Sequence, residues 1–133
     1  MRYVAAYFAS VFGMAALDLV WLKLISNAFF RAQVGSLLSD DPNVAAAALF
    51  YVFFAAGLIV FAIAPGLKAG SLAQAVAYGA GLGFLAYMTF DLTCLAILKG
   101  WTVPATLVDI AWGTCVSAAA AGLGYGAASI FSR

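Results

Sequence analysis

The chain has 133 residues, of which 67% are hydrophobic and 8% charged, with a net charge of +1 and no histidine. A mean hydropathy of +1.10 excludes a soluble domain, which could not cover its surface with so few polar groups. So small a net charge leaves no footprint for nucleic acid, and the missing histidine removes His-ligated haem, His-ligated zinc and any His-based triad.

A bilayer span takes about 20 mostly apolar residues. Four such stretches use most of the chain, so a single domain, residues 1–133, is expected. The first stretch covers residues 3–25 after Arg2. It is too long for the core of a signal peptide and carries Asp18 and Trp21 near its end, so it reads as a retained span. The link that follows, residues 26–42, holds Ala28-Phe29-Phe30-Arg31 and Leu37-Leu38; this pattern predicts a short amphipathic helix on the bilayer surface. The second span covers 43–64 and stops at Pro65-Gly66. The third covers 72–98 and stops at Lys99-Gly100. The fourth begins at Thr102-Val103-Pro104, a cap followed by a first-turn proline, and ends near Phe131. The later links are short, which makes those neighbours antiparallel. The expected architecture is all-α: an integral membrane four-helix bundle of up-down topology, with an interfacial helix between the first two spans.

Four spans place Arg2, Lys68 and Arg133 on one face, and Lys23, Arg31, Lys99, Asp40 and Asp41 on the other. Lys and Arg balance at three against three, so the positive-inside rule is nearly silent; the termini are read as cytoplasmic.

Of the five acidic residues, Asp18, Asp91 and Asp109 fall inside predicted spans, where insertion scales assign each a cost of roughly 2.5–3.5 kcal/mol. Asp18 and Asp91 each stand about seven residues before a span exits, and Asp109 about five residues into the fourth. At 1.5 Å per residue all three lie roughly 7–11 Å below one interface. Helical spacing adds Trp21 beside Asp18, Tyr87 beside Asp91, and Thr106 and Trp112 beside Asp109, while the second span brings Tyr51 to comparable depth. These side chains and Thr93 form the expected proton- or ligand-binding set. Ionised together, three carboxylates in a low-dielectric layer would repel, so a shared proton or a cation among them is expected. Lys23 and Lys99 are the nearby internal cations. The competing reading is a structural network in which hydroxyls and indoles donate to the carboxylates. Trp21 also suits an interfacial anchor. Gly79, Gly83, Ala118, Gly122 and Gly126 are read as helix-packing positions, and Cys94 and Cys115 as small buried thiols.

The stretch Tyr87-Met88-Thr89-Phe90-Asp91-Leu92-Thr93-Cys94-Leu95-Ala96, followed by Lys99-Gly100-Trp101, resembles the signature of a family of small bacterial membrane proteins, domain of unknown function 2177. So do Val108-Asp109-Ile110-Ala111-Trp112-Gly113-Thr114 and Leu17-Asp18-Leu19-Val20-Trp21-Leu22. The resemblance spans nearly the whole chain. The family pattern reads Tyr-Asp-Leu-Thr-Asn where this chain has Phe90 before the aspartate and Cys94 in the asparagine place. The resemblance implies a four-helix protein of the bacterial inner membrane and no particular activity.

Three functions follow from the residues. The first is a small transporter or polar-ligand-binding bundle, in which intramembrane carboxylates exchange protons against a cationic or polar substrate; a chain this short would complete a pathway as a homodimer. The second is a membrane enzyme or lipid-handling protein, with Asp18, Asp91 and Asp109 holding a divalent cation that grips a headgroup. The third is a non-catalytic assembly subunit. Membrane lipids are the expected partners, no resident cofactor is expected, and the chain leans away from catalysis because no nucleophile accompanies the aspartates.

Overall fold

A computed structural model describes residues 1–39 and 41–131; Asp40 and Arg133, two charges of the tally above, lie outside them. Among the described residues there are four long helices and no strand: α1 (Arg2–Leu37), α2 (Val44–Ala69), α3 (Leu72–Ile97) and α4 (Val103–Ile130). Each is long and apolar enough to cross a membrane. Their outward faces expose Phe12, Phe53, Phe61, Leu107 and Ile97, an apolar surface that suits lipid and not water.

Three helices start on a polar cap. Asn43 Oδ1 accepts from the Ala46 amide at 3.1 Å, Ser71 Oγ from Gln74 at 3.0 Å, and Thr102 Oγ1 from Ala105 at 3.2 Å. Each cap satisfies an amide that the first helical turn leaves without a partner.

Two boundaries differ from expectation. The segment expected as a separate surface helix is the far end of α1. The helix widens into a π turn at Leu22–Ser26, continues as Asn27–Val34 and tightens into a 3-10 turn at Gly35–Leu37. Nothing between Met14 and Val34 is glycine or proline, so no residue breaks it before Gly35. At 1.5 Å per residue, 36 residues reach about 54 Å, well past a hydrocarbon layer of about 30 Å. The second difference is that α2 runs through Pro65-Gly66. Proline lacks an amide donor and its ring crowds the carbonyl four residues back, that of Phe61. The π turn at Ile59–Ile63 widens the backbone just before it, which relieves this crowding. The helix ends instead at Gly70, whose φ is +63°, with Ser71 N–H donating to the Gly66 carbonyl at 2.9 Å. This left-handed closure suits a residue without Cβ.

The far end of α1 is held against the start of α4. Phe30 and Val34 are buried with Ala105, beside Phe29 and Trp101, and Thr102 Oγ1 donates to Gln33 Oε1 at 2.8 Å. Thr102→Val removes both the cap and this tie. Its expected cost is about 1–2 kcal/mol, against about 1 kcal/mol for Ser71→Ala, which removes a cap alone. Thermal unfolding in detergent reads the difference, and equal losses would show that the Gln33 bond contributes nothing.

Packing centres on α4, which lies along both α1 and α3. The main core joins Ala6 and Met14 of α1, Leu58 and Ile63 of α2, and Val116, Ala120 and Ala121 of α4. Gly79 and Gly83 of α3 are buried against α4: a Cβ on Gly83 would stand 2.6 Å from the Gly113 carbonyl oxygen, and one on Gly79 would stand 2.5 Å from Ala121 Cβ. Gly122 and Gly126 do not share this seam. A Cβ on Gly122 would meet only Val76 Cγ2, at 3.3 Å, and Gly126 is exposed with nothing within 4 Å. The buried stripe of α4 is Gly113, Ser117, Ala121, Gly124 and Ala128; Ala118, Gly122 and Gly126 form a parallel row beside it.

Over its second half, α2 packs on α3. Its first turns stand away: residues 44–50 are all exposed. This asymmetry opens space beside α3 at the depth of the aspartates.

Candidate functional site

The three aspartates divide into a bonded carboxylate and a facing pair. Asp18 of α1 accepts hydrogen bonds from the Tyr51 hydroxyl of α2 and from Trp112 Nε1 of α4, the latter at 2.7 Å. One half-buried carboxylate thus links three helices. Trp21, one helical turn past Asp18, lies flat on Trp112, with ring centroids 4.5 Å apart and planes 5° from parallel. The stack fixes the indole that donates to Asp18.

Asp91 of α3 is fully buried, and neither of its oxygens meets an N–H or O–H donor among the described residues. The acidic neighbour of Asp91 is the Asp109 carboxyl of α4. Ionised carboxylates only accept hydrogen bonds, so two can bond each other only through a proton that one of them holds. Asp18 lies near enough to act electrostatically on Asp109 and Tyr87. Cys94, which stands where the family pattern has asparagine, is buried within electrostatic reach of Asp91 and supplies no amide donor.

Tyr87 seats its ring against Gly113, where any Cβ would overlap the ring carbons. Phe50 of α2 meets Tyr87 edge-on at 6.3 Å. Together with Ala86, Phe90 and Asp109 they line a cavity of about 360 Å³. Its walls are aromatic, and Asp109 is its one acidic group. A second cavity, of about 280 Å³, shares Phe90 and Asp109 and is bounded also by Ser26, Asn27, Phe30 and Trp101. Phe90 meets Trp101 edge-on at 6.0 Å, so its ring stands between the two spaces.

Two expected residues do other work. Thr106 is buried, but its hydroxyl accepts from Trp101 Nε1 at 3.1 Å and donates to the Thr102 carbonyl at 2.9 Å. It braces the start of α4 and makes no bond to a carboxylate. Thr93 is exposed on the outer side of α3. Lys23 and Lys99 are exposed as well, and among the described residues neither forms an ion pair with an aspartate. Phe90 and Trp101 were not in the sequence-derived set. Phe90 lies three residues after Tyr87 and so shares its side of α3, a signal that spacing contained; Trp101 reaches the site from a turn, where helical spacing is blind.

Among the described residues no group of three or more His, Cys, Asp or Glu side chains is arranged to hold a metal ion.

No curated protein and no solved structure matches the chain closely enough to lend it a function. Residues 3–126 match the family described as predicted membrane protein (DUF2177), as the motifs around Asp18, Asp91 and Asp109 implied, and the chain belongs to that family.

Proposed function

We propose that the protein is a small membrane carrier or binding protein for lipophilic organic cations, with the Asp91–Asp109 pair as a proton-exchanging site. The observation that carries this reading is Asp109 lining an aromatic cavity while facing a buried aspartate that has no donor. A carboxylate offers a cation its counter-charge. The faces of Phe50, Tyr87 and Phe90 add cation–π attraction, which strengthens out of water. An entering cation takes the place of the shared proton, so binding releases a proton. Asp18, satisfied by Tyr51 and Trp112, serves as the structural member of the three. One chain encloses little volume, and a second copy would complete a passage across the inner membrane.

The test uses purified protein in nanodiscs with tetraphenylphosphonium as the probe. The wild type should bind it and release protons detected by a pH dye. Asp109→Asn should lower affinity by about tenfold or more and abolish proton release, and Phe90→Ala should weaken binding without abolishing the release. Equal binding by the wild type and Asp109→Asn would refute the assignment.

A further inference from the structure

A third cavity, lined by neither carboxylate of the pair but sharing Leu22, Asn27 and Leu38 with the cavity that Asp109 bounds, carries a separate inference. It lies between the far part of α1 and the returning link, has a volume of about 440 Å³, and is lined by Lys23, Asn27 and Arg31 on one side. Their spacing of four residues repeats one helical stripe. The link closes the other side with Leu38, Ser39 and Pro42.

We propose that this cavity binds the phosphate of an anionic phospholipid headgroup. Four observations converge on that ligand. About 20 residues of α1, counted from Arg2, cover a hydrocarbon layer of about 30 Å, which brings Leu22 and Lys23 to its far side, and the next span begins at Val44; the cavity therefore stands at headgroup depth. Among the described residues neither of its two cations forms an ion pair, and Arg31 donates from Nε to Asn27 Oδ1 at 2.7 Å. That bond orients the guanidinium and leaves its two terminal nitrogens for a phosphate, whose oxygens fit the planar fork. Asp41, in the link, is exposed, and among the described residues it forms no ion pair with either cation. Its backbone is tied to Ser39 Oγ by two hydrogen bonds, of 3.0 and 3.1 Å, which fix the rim. Leu22, Leu38 and Pro42 add an apolar wall that suits the glycerol and first methylenes of a lipid and gives nothing to a free phosphate ion. Two cations at a membrane surface contribute enough attraction for a clear preference over zwitterionic lipid.

The experiment is native mass spectrometry of the full chain released from nanodiscs of phosphatidylglycerol mixed with phosphatidylcholine. The wild type should keep phosphatidylglycerol in preference to phosphatidylcholine, and K23Q/R31Q should lose that preference by about tenfold or more. K68Q, a cation at the other end of the bundle, should keep it. Circular dichroism checks that all variants are folded, and R31K serves as a second variant, expected to bind more weakly than wild type because it lacks the fork. Equal retention of both lipids by the wild type, or an unchanged preference in K23Q/R31Q, overturns the proposal. An equal loss in K68Q also overturns it, since it would reveal non-specific charge. Displacement of the lipid by equimolar inorganic phosphate would assign the cavity to the free ion and overturn the lipid claim.

Discussion

Gly83→Val should keep α3 and α4 from assembling and should cost about 3 kcal/mol or more. A Cβ at this position would overlap Ser117 Oγ and Cβ and stand 2.6 Å from the Gly113 carbonyl oxygen. The carbonyl is backbone of a packed helix and cannot rotate away as a side-chain tip could. Overpacking in cores costs typically 1–3 kcal/mol, and a clash with backbone lies at or above the top of that range. The seam also sets the aspartates: pushing α3 away from α4 separates Asp91 from Asp109 and lifts Tyr87 off Gly113. Gly81, two residues earlier, meets nothing within 4 Å, so Gly81→Val should stay within about 0.5 kcal/mol of wild type. Denaturation midpoints of the two variants in the same detergent decide the matter. Similar midpoints would mean that the α3–α4 seam is not where the structure puts it.

Asp18→Ala should destabilise the bundle by about 3–5 kcal/mol, because it strands the Tyr51 hydroxyl and the Trp112 indole N–H away from water. Asp18→Asn keeps one acceptor oxygen but turns an amide N–H₂ towards a donor, and should fall between alanine and wild type. Tyr51→Phe alone should cost about 1–2 kcal/mol, since it removes a bond to a charged group. In the Asp18→Ala background the same change should cost nothing or restore stability, because phenylalanine leaves no unpaired hydroxyl. The cycle therefore predicts a coupling of about 1–3 kcal/mol between the two residues. A Tyr51→Phe cost that is the same in both backgrounds would show that Tyr51 and Asp18 do not interact.

The sequence made the four spans readable because span length and apolar composition are dictated by the bilayer, and because Asn43, Ser71 and Thr102 announce helix starts with side chains that have one good use there. Asp18, Asp91 and Asp109 were equally visible, since a charge in an apolar run stands out by cost alone. Which aspartate faces which was not visible. Helical spacing describes one helix at a time, whereas the Asp18–Trp112 and Asp91–Asp109 relations depend on how α4 is rotated between α1 and α3. The same limit explains the misplaced stripe: Gly122-Gly126 and Gly113-Ser117-Ala121 are both small and both spaced by four, and only packing selects between them. At Pro65 and after Trp21, local rules promised breaks that wide helical turns absorb.

Three hydrogen bonds between α1 and α4 have a mechanical meaning, the first running from Ser10 Oγ to the Ala120 carbonyl at 3.1 Å. Trp112 grips Asp18 within the span, and Thr102 grips Gln33 near the end of the long helix. Two helices pinned at separate heights can neither pivot nor slide past each other, so α1 and α4 act as a single strut. Relative motion falls to the first half of α2, fastened to α1 by Tyr51 on Asp18 and by Tyr7 on the Val52 carbonyl at 3.0 Å. The wide turn at Ile59–Ile63 lies just beyond that half, where a hinge would be placed. Swinging residues 44–58 outward about it would widen the space between Phe50 and Tyr87. Asp18 would then be one of two latches: α2 is unlocked when Tyr51 leaves Asp18 and Tyr7 leaves the Val52 carbonyl, while the indole keeps the strut intact.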